Sequence, residues 1–454
     1  MDTAAPAPTA ASPDHLCVLV HGLWGNPDHL KFLSTSLRER YPEDKLHVLV
    51  AKRNAGSFTY DGIELGGERV AHEIEETLEE LARSGHEIKK LSIVGYSLGG
   101  LISRYAIGLL FHKGLFQKIE PVNFTTFATP HLGVRTPLLG FHNKIWNVLG
   151  ARALSMSGRQ LFTIDSFRDT GRPLLAVLAD PESIFMQALA QFKYRSLYAN
   201  VVNDRSVSYY TAGISKVDPF IQPDEVKMNY VDGYEDVILD GENPVSAKEP
   251  EALPAFTQRL TSSTRTVFGR VPLVAFLVVF IPIGSTLFLI NSAIQSVRSN
   301  QRIRMHEQGK GGFDIGGYRI PLMINGMRKE VEDMYENMNN AQEQEYLLSG
   351  SEEHASPSIS QSTNISRKKS IDNASEVESI EESKAGLAVE FPTLALTPDQ
   401  FAMVEALNNV GFKKHPVYIH KHRHSHAAII RRMEKSSFDE GRIVVKHWLN
   451  EFVL

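Results

Sequence analysis

The spacing of apolar and polar residues changes several times along this chain, and each change marks an element. Leu16–Val20 (LCVLV) and Leu46–Val50 (LHVLV) are short, almost continuous apolar runs rich in valine, the pattern of strands covered on both faces. In GERVAHEIEETLEELARSG, from Gly67 to Gly85, Val70, Ile74, Leu78 and Leu81 recur at helical spacing with acids opposite. That predicts an amphipathic helix stopped at Gly85. KKLSIVGYS predicts the next strand, SLGGLISRYAIGLLFHKG the next helix, and VNFTTFATP and SLYANVVND two more strands. Strands alternating with helices from His15 to about Ile214 place the chain in the α/β class with a mostly parallel sheet.

The stretch from about 133 to 195 contains the apolar helical segments LLGFHNKIWNVLGARAL and IFMQALAQFKY. It is longer than a plain strand-to-strand crossover requires, so it is read as a helical cap insertion, with a pair of packing helices as the plain alternative. Pro272 to Ile294 is different in kind: no charged residue occurs between Arg270 and Arg298. As one straight helix it would be about 35 Å long, enough to cross a bilayer once. Pro282 and Gly284 stand at its midpoint, where a helix breaks most easily. Arg259, Arg265 and Arg270 precede it and Arg298, Arg302 and Arg304 follow, which puts both flanks on one face near anionic headgroups. A membrane-embedded hairpin or one-leaflet helix is therefore expected, a full span and a buried core helix being the alternatives.

The expected organisation is a flexible amino terminus over 1–14 and an α/β core over 15–255. A membrane-anchoring stretch over 256–300 and a linker over 301–348 come next. SGSEEHASPSISQSTNISRKKSIDNASEVESIEESK, rich in Ser and Glu with almost no aromatics, then predicts a disordered insertion over 349–390. Ser370, at the end of RKKS, is a phosphorylation pattern that also arises by chance. Order returns over 391–454, which completes the core. There Thr397 caps a helix ended at Gly411, PVYIH reads as a strand, and GRIVVKHWLNEFV as strand or helix.

The chain has 454 residues, 42% of them hydrophobic, and a net charge of −5. No long basic run points to nucleic acid. Cys17 is the only cysteine, so no intrachain disulfide forms and a cytosolic setting is natural. MDTAAPAPTAASPD has neither a basic start nor an apolar run and reads as no signal peptide. Of the sequons at Asn123, Asn364 and Asn373, the first opens a buried strand where a glycan would not fit.

GYSLGG, Gly95 to Gly100, fits the G-x-S-x-G turn between an apolar strand and a helix, with Ser97 as nucleophile. VHGLWGN after the first strand supplies a second loop. Acyl transfer needs two backbone N–H groups aimed at the oxyanion, and Leu23 and Leu98 are the candidates. An acid and then a histidine should follow the serine in chain order. Asp204, just past the strand SLYANVVND, is favoured over Asp165, Asp180 and Asp218. For the base, KHPVYIHKHRHSHAAIIRR offers His415, His420, His422, His424 and His426. His426 is favoured because SHAAII leaves a loop for an apolar element, with His424 next. His131 follows a strand but precedes the acid. No cysteine or helical His-Glu pair supports a metal, and no cofactor is expected.

VLVHGLWGNPDHL, YDGIELGGERVAHEI, LSIVGYSLGG, TFATPHLGV, YANVVNDRSVSYYTAGISKVDPF and SHAAIIRR together resemble the fungal serine-esterase and lipid-hydrolase family, most of all its yeast lipid-droplet phospholipase branch. The likeness runs from about His15 to Phe220 and resumes near Pro416. It implies an α/β-hydrolase fold and ester hydrolysis on glycerolipids, with nucleophile, acid and base at Ser97, Asp204 and His426. That branch has glutamine where this chain has Leu98, a change that leaves a backbone donor in place. A nucleophile and its base must lie within about 3 Å, yet Ser97 and His426 flank the apolar run, so both arms must leave the lipid on one side. The resulting expectation is a phospholipase of B or A type acting on glycerophospholipid at the cytosolic face of lipid droplets or endoplasmic reticulum. A monoacylglycerol or triacylglycerol lipase with the same triad is the first alternative. A non-catalytic lipid-binding or tethering protein on the same fold is the second.

Overall fold

The structure is a computed structural model that describes residues 13–134, 155–248, 290–310 and 391–454. The chain opens with β1 (His15–Val20), α1 (Lys31–Arg40), β2 (Leu46–Val50), α2 (Ile63–Arg83), β3 (Lys90–Tyr96), α3 (Leu98–His112) and β4 (Glu120–Phe127). Next come α4 (Ser155–Leu161), α5 (Leu174–Leu178), α6 (Ile184–Gln191), β5 (Tyr194–Asn200) and α7 (Tyr209–Ala212). A two-stranded ribbon, β6 (Val226–Met228) with β7 (Val245–Ala247), follows. Helix α8 covers 290–307. The carboxyl arm adds α9 (Pro398–Asn409), β8 (Lys413–Val417), α10 (Ser425–Ala428) and α11 (Glu440–Glu451).

The main sheet has the order β2-β1-β3-β4-β5-β8, and every neighbouring pair is parallel. β1 is apolar throughout because both its faces are covered. Leu16, Val18 and Val20 enter the core shared with α2, α3 and α6, while Cys17 and Leu19 enter the core shared with α1 and α11. The strand order reverses direction at β1, which opens a crevice at the carboxyl ends of β1 and β3. An α/β-hydrolase-like architecture with a mostly parallel sheet is the result.

Two boundaries differ from the sequence pattern, each for a packing reason, and one segment left open between strand and helix is a helix. α2 begins at Ile63, before the expected Gly67. Its glycine pair is spent on close contact with α3: a Cβ at Gly67 would stand 2.6 Å from the Tyr105 ring. β8 runs from Lys413 to Val417, not from Pro416 to His420. It is an edge strand, where Pro416 forfeits no central ladder bond and Tyr418 turns away to donate to the Val237 carbonyl. GRIVVKHWLNEFV is helical in α11, with Val444, Val445 and Trp448 buried against the sheet. Trp448 meets Phe127 edge-on at 5.7 Å, and truncating such a side chain costs about 3–5 kcal/mol.

Within the insertion over 133–195, α5 and α6 bury Leu174, Leu175, Leu178, Phe185 and Leu189 in the core beside α3. LLGFHNKIWNVLGARAL falls wholly outside the described residues, as do the amino terminus up to 12, the apolar run up to 289, and 311–390 with Ser370, Asn364 and Asn373. Among the described residues no helix is long and apolar enough to cross a membrane. α8 runs through the boundary expected between anchor and linker at 300 and 301. Asn123 is buried, and its amide donates to the Val453 carbonyl at 2.7 Å and accepts from the Val453 N–H at 3.2 Å. It is occupied by the carboxyl arm.

Three buried histidines make the fold sensitive to acid. Burial lowers His15 to about 4 and His415 to about 3, and holds His131 well below its ordinary range. Each stays neutral in the folded chain and takes up a proton near pH 6.5 once unfolded. Stability is therefore full above that pH and falls as the pH drops toward 3 or 4. One such histidine contributes ~2 kcal/mol between pH 7 and pH 5. Denaturant unfolding at those two pH values should show a loss of several kcal/mol in the native chain. The loss should be ~2 kcal/mol smaller in His415→Asn; an equal loss in both would refute this assignment.

Candidate active site

The site forms at the crevice where the strand order reverses. Val20 of β1 pairs opposite Gly95 of β3, so the loops that follow, His21–Asn26 and Ser97–Leu98, lie side by side. Ser97 sits between β3 and α3 with φ 55 and ψ −128, a conformation that costs a non-glycine residue about 1–3 kcal/mol. The surroundings hold it there. The Ser97 N–H donates to the Phe127 carbonyl at 2.9 Å, and Thr129 Oγ1 donates to the Ser97 carbonyl at 3.0 Å. Gly99 lets the turn pass over β1, since a Cβ there would lie 2.2 Å from the Val20 carbonyl oxygen. The two glycines of the motif thus serve close approach, and Ser97 alone carries the strain.

His426 reaches this serine from the other arm. Its Nε2 lies 3.0 Å from Ser97 Oγ, and its Nδ1 lies 2.9 Å from Asp204 Oδ2. Helix α10, which carries it, is fastened to the loop after β5: Ser425 Oγ donates to the Val202 carbonyl at 2.8 Å. Tyr96 Oη donates to the His426 carbonyl at 2.9 Å, and its ring lies 5.2 Å from the imidazole. Serine, histidine and acid are therefore in hydrogen-bonded line, in the arrangement of a nucleophile, a base and the group that orients the base.

Asp204 is buried, which by itself favours the neutral acid. The His426 ring and hydrogen bonds from Asn200 Nδ2 at 2.8 Å and the Val207 N–H at 2.8 Å outweigh that penalty. The Ser206 N–H adds a contact at 3.0 Å. The carboxyl is held below its usual range and remains ionised. With an anion on Nδ1, that nitrogen carries the ring proton and Nε2 is left to accept one from the serine.

Leu98 is the first residue of α3, where N–H groups lack helical partners and the helix end adds a positive field. Among the described residues neither the Leu98 N–H nor the Leu23 N–H donates a hydrogen bond. The Leu23 loop is braced on both sides. Gly25 N–H donates to the Gly22 carbonyl at 3.0 Å, and Trp24, at φ 56, donates its N–H to Thr59 Oγ1 and its Nε1–H to Tyr60 Oη.

The rival residues are held elsewhere. Asp165 accepts from the Leu174 N–H at 2.9 Å, and burial raises its pKa to about 6. Asp180 pairs with Arg172, and Asp218 accepts from the Phe220 N–H. His131 is buried against Thr126 Oγ1 at 3.0 Å. His415 stacks on Tyr198 at 4.7 Å, and His420 contacts the Asp236 carbonyl. His422 accepts from the His424 N–H, and His424 stands immediately before α10. Among the described residues no three His, Cys, Asp or Glu side chains are grouped to hold a metal. The sequence reading missed Asn200 and Tyr96. Asn200 had a signal, as the last residue of the strand that delivers Asp204; Tyr96 had none beyond its place beside the serine.

Residues 10–217 match the family described as "Putative serine esterase (DUF676)". The match takes in Leu23, Ser97, Leu98 and Asp204 and stops short of His426. "Putative lipase ROG1" of Saccharomyces cerevisiae is 32% identical over 210 residues, 45% of this chain and 29% of that protein. "Putative lipase C4A8.10" of Schizosaccharomyces pombe is 32% identical over 208 residues, 44% of this chain and 26% of that protein. The chain thus spans less than a third of the length of either relative. A solved structure described as "RedJ with PEG molecule bound in the active site" aligns at 18% identity and a TM-score of 0.24, over 48% of this chain and 84% of that one. That superposition is too loose to bear on the site. Over residues 10–217, a little under half of its length, the chain is similar to the putative serine esterase family.

Proposed function

We propose that this chain is a serine lipid hydrolase that cleaves acyl esters of glycerophospholipids, as a phospholipase of B or A type, at a lipid surface. The hydrogen-bonded line Ser97–His426–Asp204 carries the reading. Ser97 Oγ attacks the ester carbonyl as His426 Nε2 takes its proton, and the oxyanion faces the Leu23 and Leu98 N–H groups. His426 then returns the proton to the departing alcohol, leaving an acyl group on Ser97. A water molecule, deprotonated by the same nitrogen, hydrolyses that ester and regenerates the serine. Asp204 remains an anion throughout, holding the ring and stabilising its charged form.

The lipid surface is supported by the uncharged run 272–294 with arginines on both flanks. The lipase names of the yeast relatives favour lipid esters in general. The preference for phospholipid, and the setting on lipid droplets or endoplasmic reticulum with the hydrolase facing the cytosol, rest on the family resemblance.

Ser97→Ala should lower fatty-acid release from phosphatidylcholine vesicles by roughly a thousandfold or more; native turnover by that variant would exclude the mechanism. Asp204→Asn should keep the fold and lose roughly 10³–10⁴-fold in kcat, because the imidazole loses the partner that sets its tautomer. Assaying phosphatidylcholine, monoacylglycerol and triacylglycerol side by side should show the phospholipid as the better substrate. Faster release from either neutral lipid would favour a neutral-lipid lipase with the same triad. No release from any of them, with no labelling of Ser97 by a fluorophosphonate, would favour a non-catalytic lipid-binding protein.

A further inference from the structure

Helix α8 is inside out for a helix facing water. Its buried and half-buried side is mostly polar, with Ser292, Gln295, Ser296, Ser299, Arg302 and His306 and one apolar member, Ile303, and Ser292 and Ser299 are fully buried with no hydrogen bond. On the opposite side Ile290, Ile294 and Val297, spaced by four and then three residues along one stripe, are 54%, 47% and 58% exposed. Leaving such side chains in water is unfavourable, so an outward apolar stripe over a mostly polar buried side marks a face turned to a medium less polar than water.

The stripe changes character along its length. After Val297 the same outward side carries Arg298 and Arg304, with Met305, 51% exposed, beside them. Immediately before Ile290 the sequence is the uncharged run from Val271 to Leu289. From amino to carboxyl end the outward face thus passes from apolar to cationic, the order met in leaving acyl chains for anionic headgroups.

The carboxyl half is clamped to the hydrolase body. Arg302 makes a forked pair with buried Asp61, at 2.9 Å from Nε and 2.6 Å from a terminal nitrogen, and donates to the Ser57 carbonyl at 2.9 Å. Arg69 holds the other side of Asp61 at 2.7 Å, and His306 pairs with Glu68. The guanidinium groups of Arg69 and Arg302 each lie over the Phe58 ring, 4.9 Å from its centroid. The next two residues, Thr59 and Tyr60, hold Trp24 beside the candidate oxyanion donor Leu23. Trp24 and Phe58 are themselves 52% and 42% exposed. A continuous set of contacts therefore links α8 to the mouth of the site.

We infer that the outward face of α8 seats in an anionic phospholipid surface, with Arg298 and Arg304 at headgroup depth, and that the Arg302–Asp61 clamp fixes the Ser97 crevice against that surface. The inference deepens the proposed lipid-hydrolase function and rests on it. It assigns a partner, a negatively charged lipid interface, to a face that otherwise exposes apolar side chains.

Cys17 is buried and is the only cysteine, so Val297→Cys in the full chain takes a single environment-sensitive fluorophore. Adding phosphatidylcholine–phosphatidylserine vesicles should shift its emission to the blue and raise it several-fold. The same label at exposed Glu79→Cys on α2 should not respond. Arg298→Glu with Arg304→Glu should weaken the vesicle titration roughly thirtyfold or more, at ~1 kcal/mol per arginine lost, and vesicles of phosphatidylcholine alone should bind the native chain correspondingly less. Unchanged emission at 297 in the presence of vesicles, or equal binding by the charge-reversed chain, would overturn the inference. A labelled Val297→Cys chain that responds to vesicles, with a native chain that hydrolyses no lipid, would leave the seating standing and remove the hydrolase reading instead.

Discussion

Parallel pairing of β5 with β8 holds the molecule's chemistry together. Ser196 through Asn200 lie in register with Lys413 through Val417, strands more than two hundred residues apart in the chain. Closing so long a connection has an entropic cost that grows only with the logarithm of its length. The pairing and the burial of α11 on the far face offset it. Once β8 is in place, the few residues from Val417 to Ser425 carry His426 over the end of the sheet to Ser97. The described residues up to 248 and from 391 onward therefore belong to one body.

Strain and charge are concentrated at the point this pairing completes. Ser97 is held in a costly backbone conformation by bonds from β4 and the following loop, and Asp204 is kept ionised although it is buried. Both features require a rigid surround, since each would relax in a looser one. The residues that supply rigidity come from four separate places: Thr129 after β4, Asn200 at the end of β5, Tyr96 at the end of β3, and Ser425 at the start of α10. No local stretch of sequence contains the site.

Asp61 plays a comparable part for the surface of the molecule. A buried carboxylate is costly unless it is paired, and two arginines from different segments meet it. Removing Arg302 would leave Arg69 alone to balance the charge and would take away the forked contact of α8 with the body, while the His306–Glu68 pair remained. The orientation of the apolar stripe relative to the crevice therefore depends on a polar contact, which is directional where apolar packing is not.

Local pattern was enough to read the strands β1 to β5, the elbow around Ser97 and the acid after β5, because each depends on a few neighbouring residues and a period of two or 3.6. GYSLGG declares a tight turn through its glycines, and YANVVND places a carboxylate at a strand end whatever the rest of the chain does. The start of α2 was hidden because its glycines serve Tyr105, a residue on another helix. The edge position of β8, the helical state of the last segment and the docking of α8 were likewise set by distant partners. Five histidines in KHPVYIHKHRHSHAAII look alike in sequence. Tertiary structure separates them: His415 is buried on Tyr198, His420 contacts the Asp236 carbonyl, His422 accepts from the neighbouring His424 N–H, and His426 meets both a serine and an acid. Sequence determined which residue types stood near which turns. Only the folded sheet decided which of them came within 3 Å, because that distance is fixed by strand register and not by spacing along the chain.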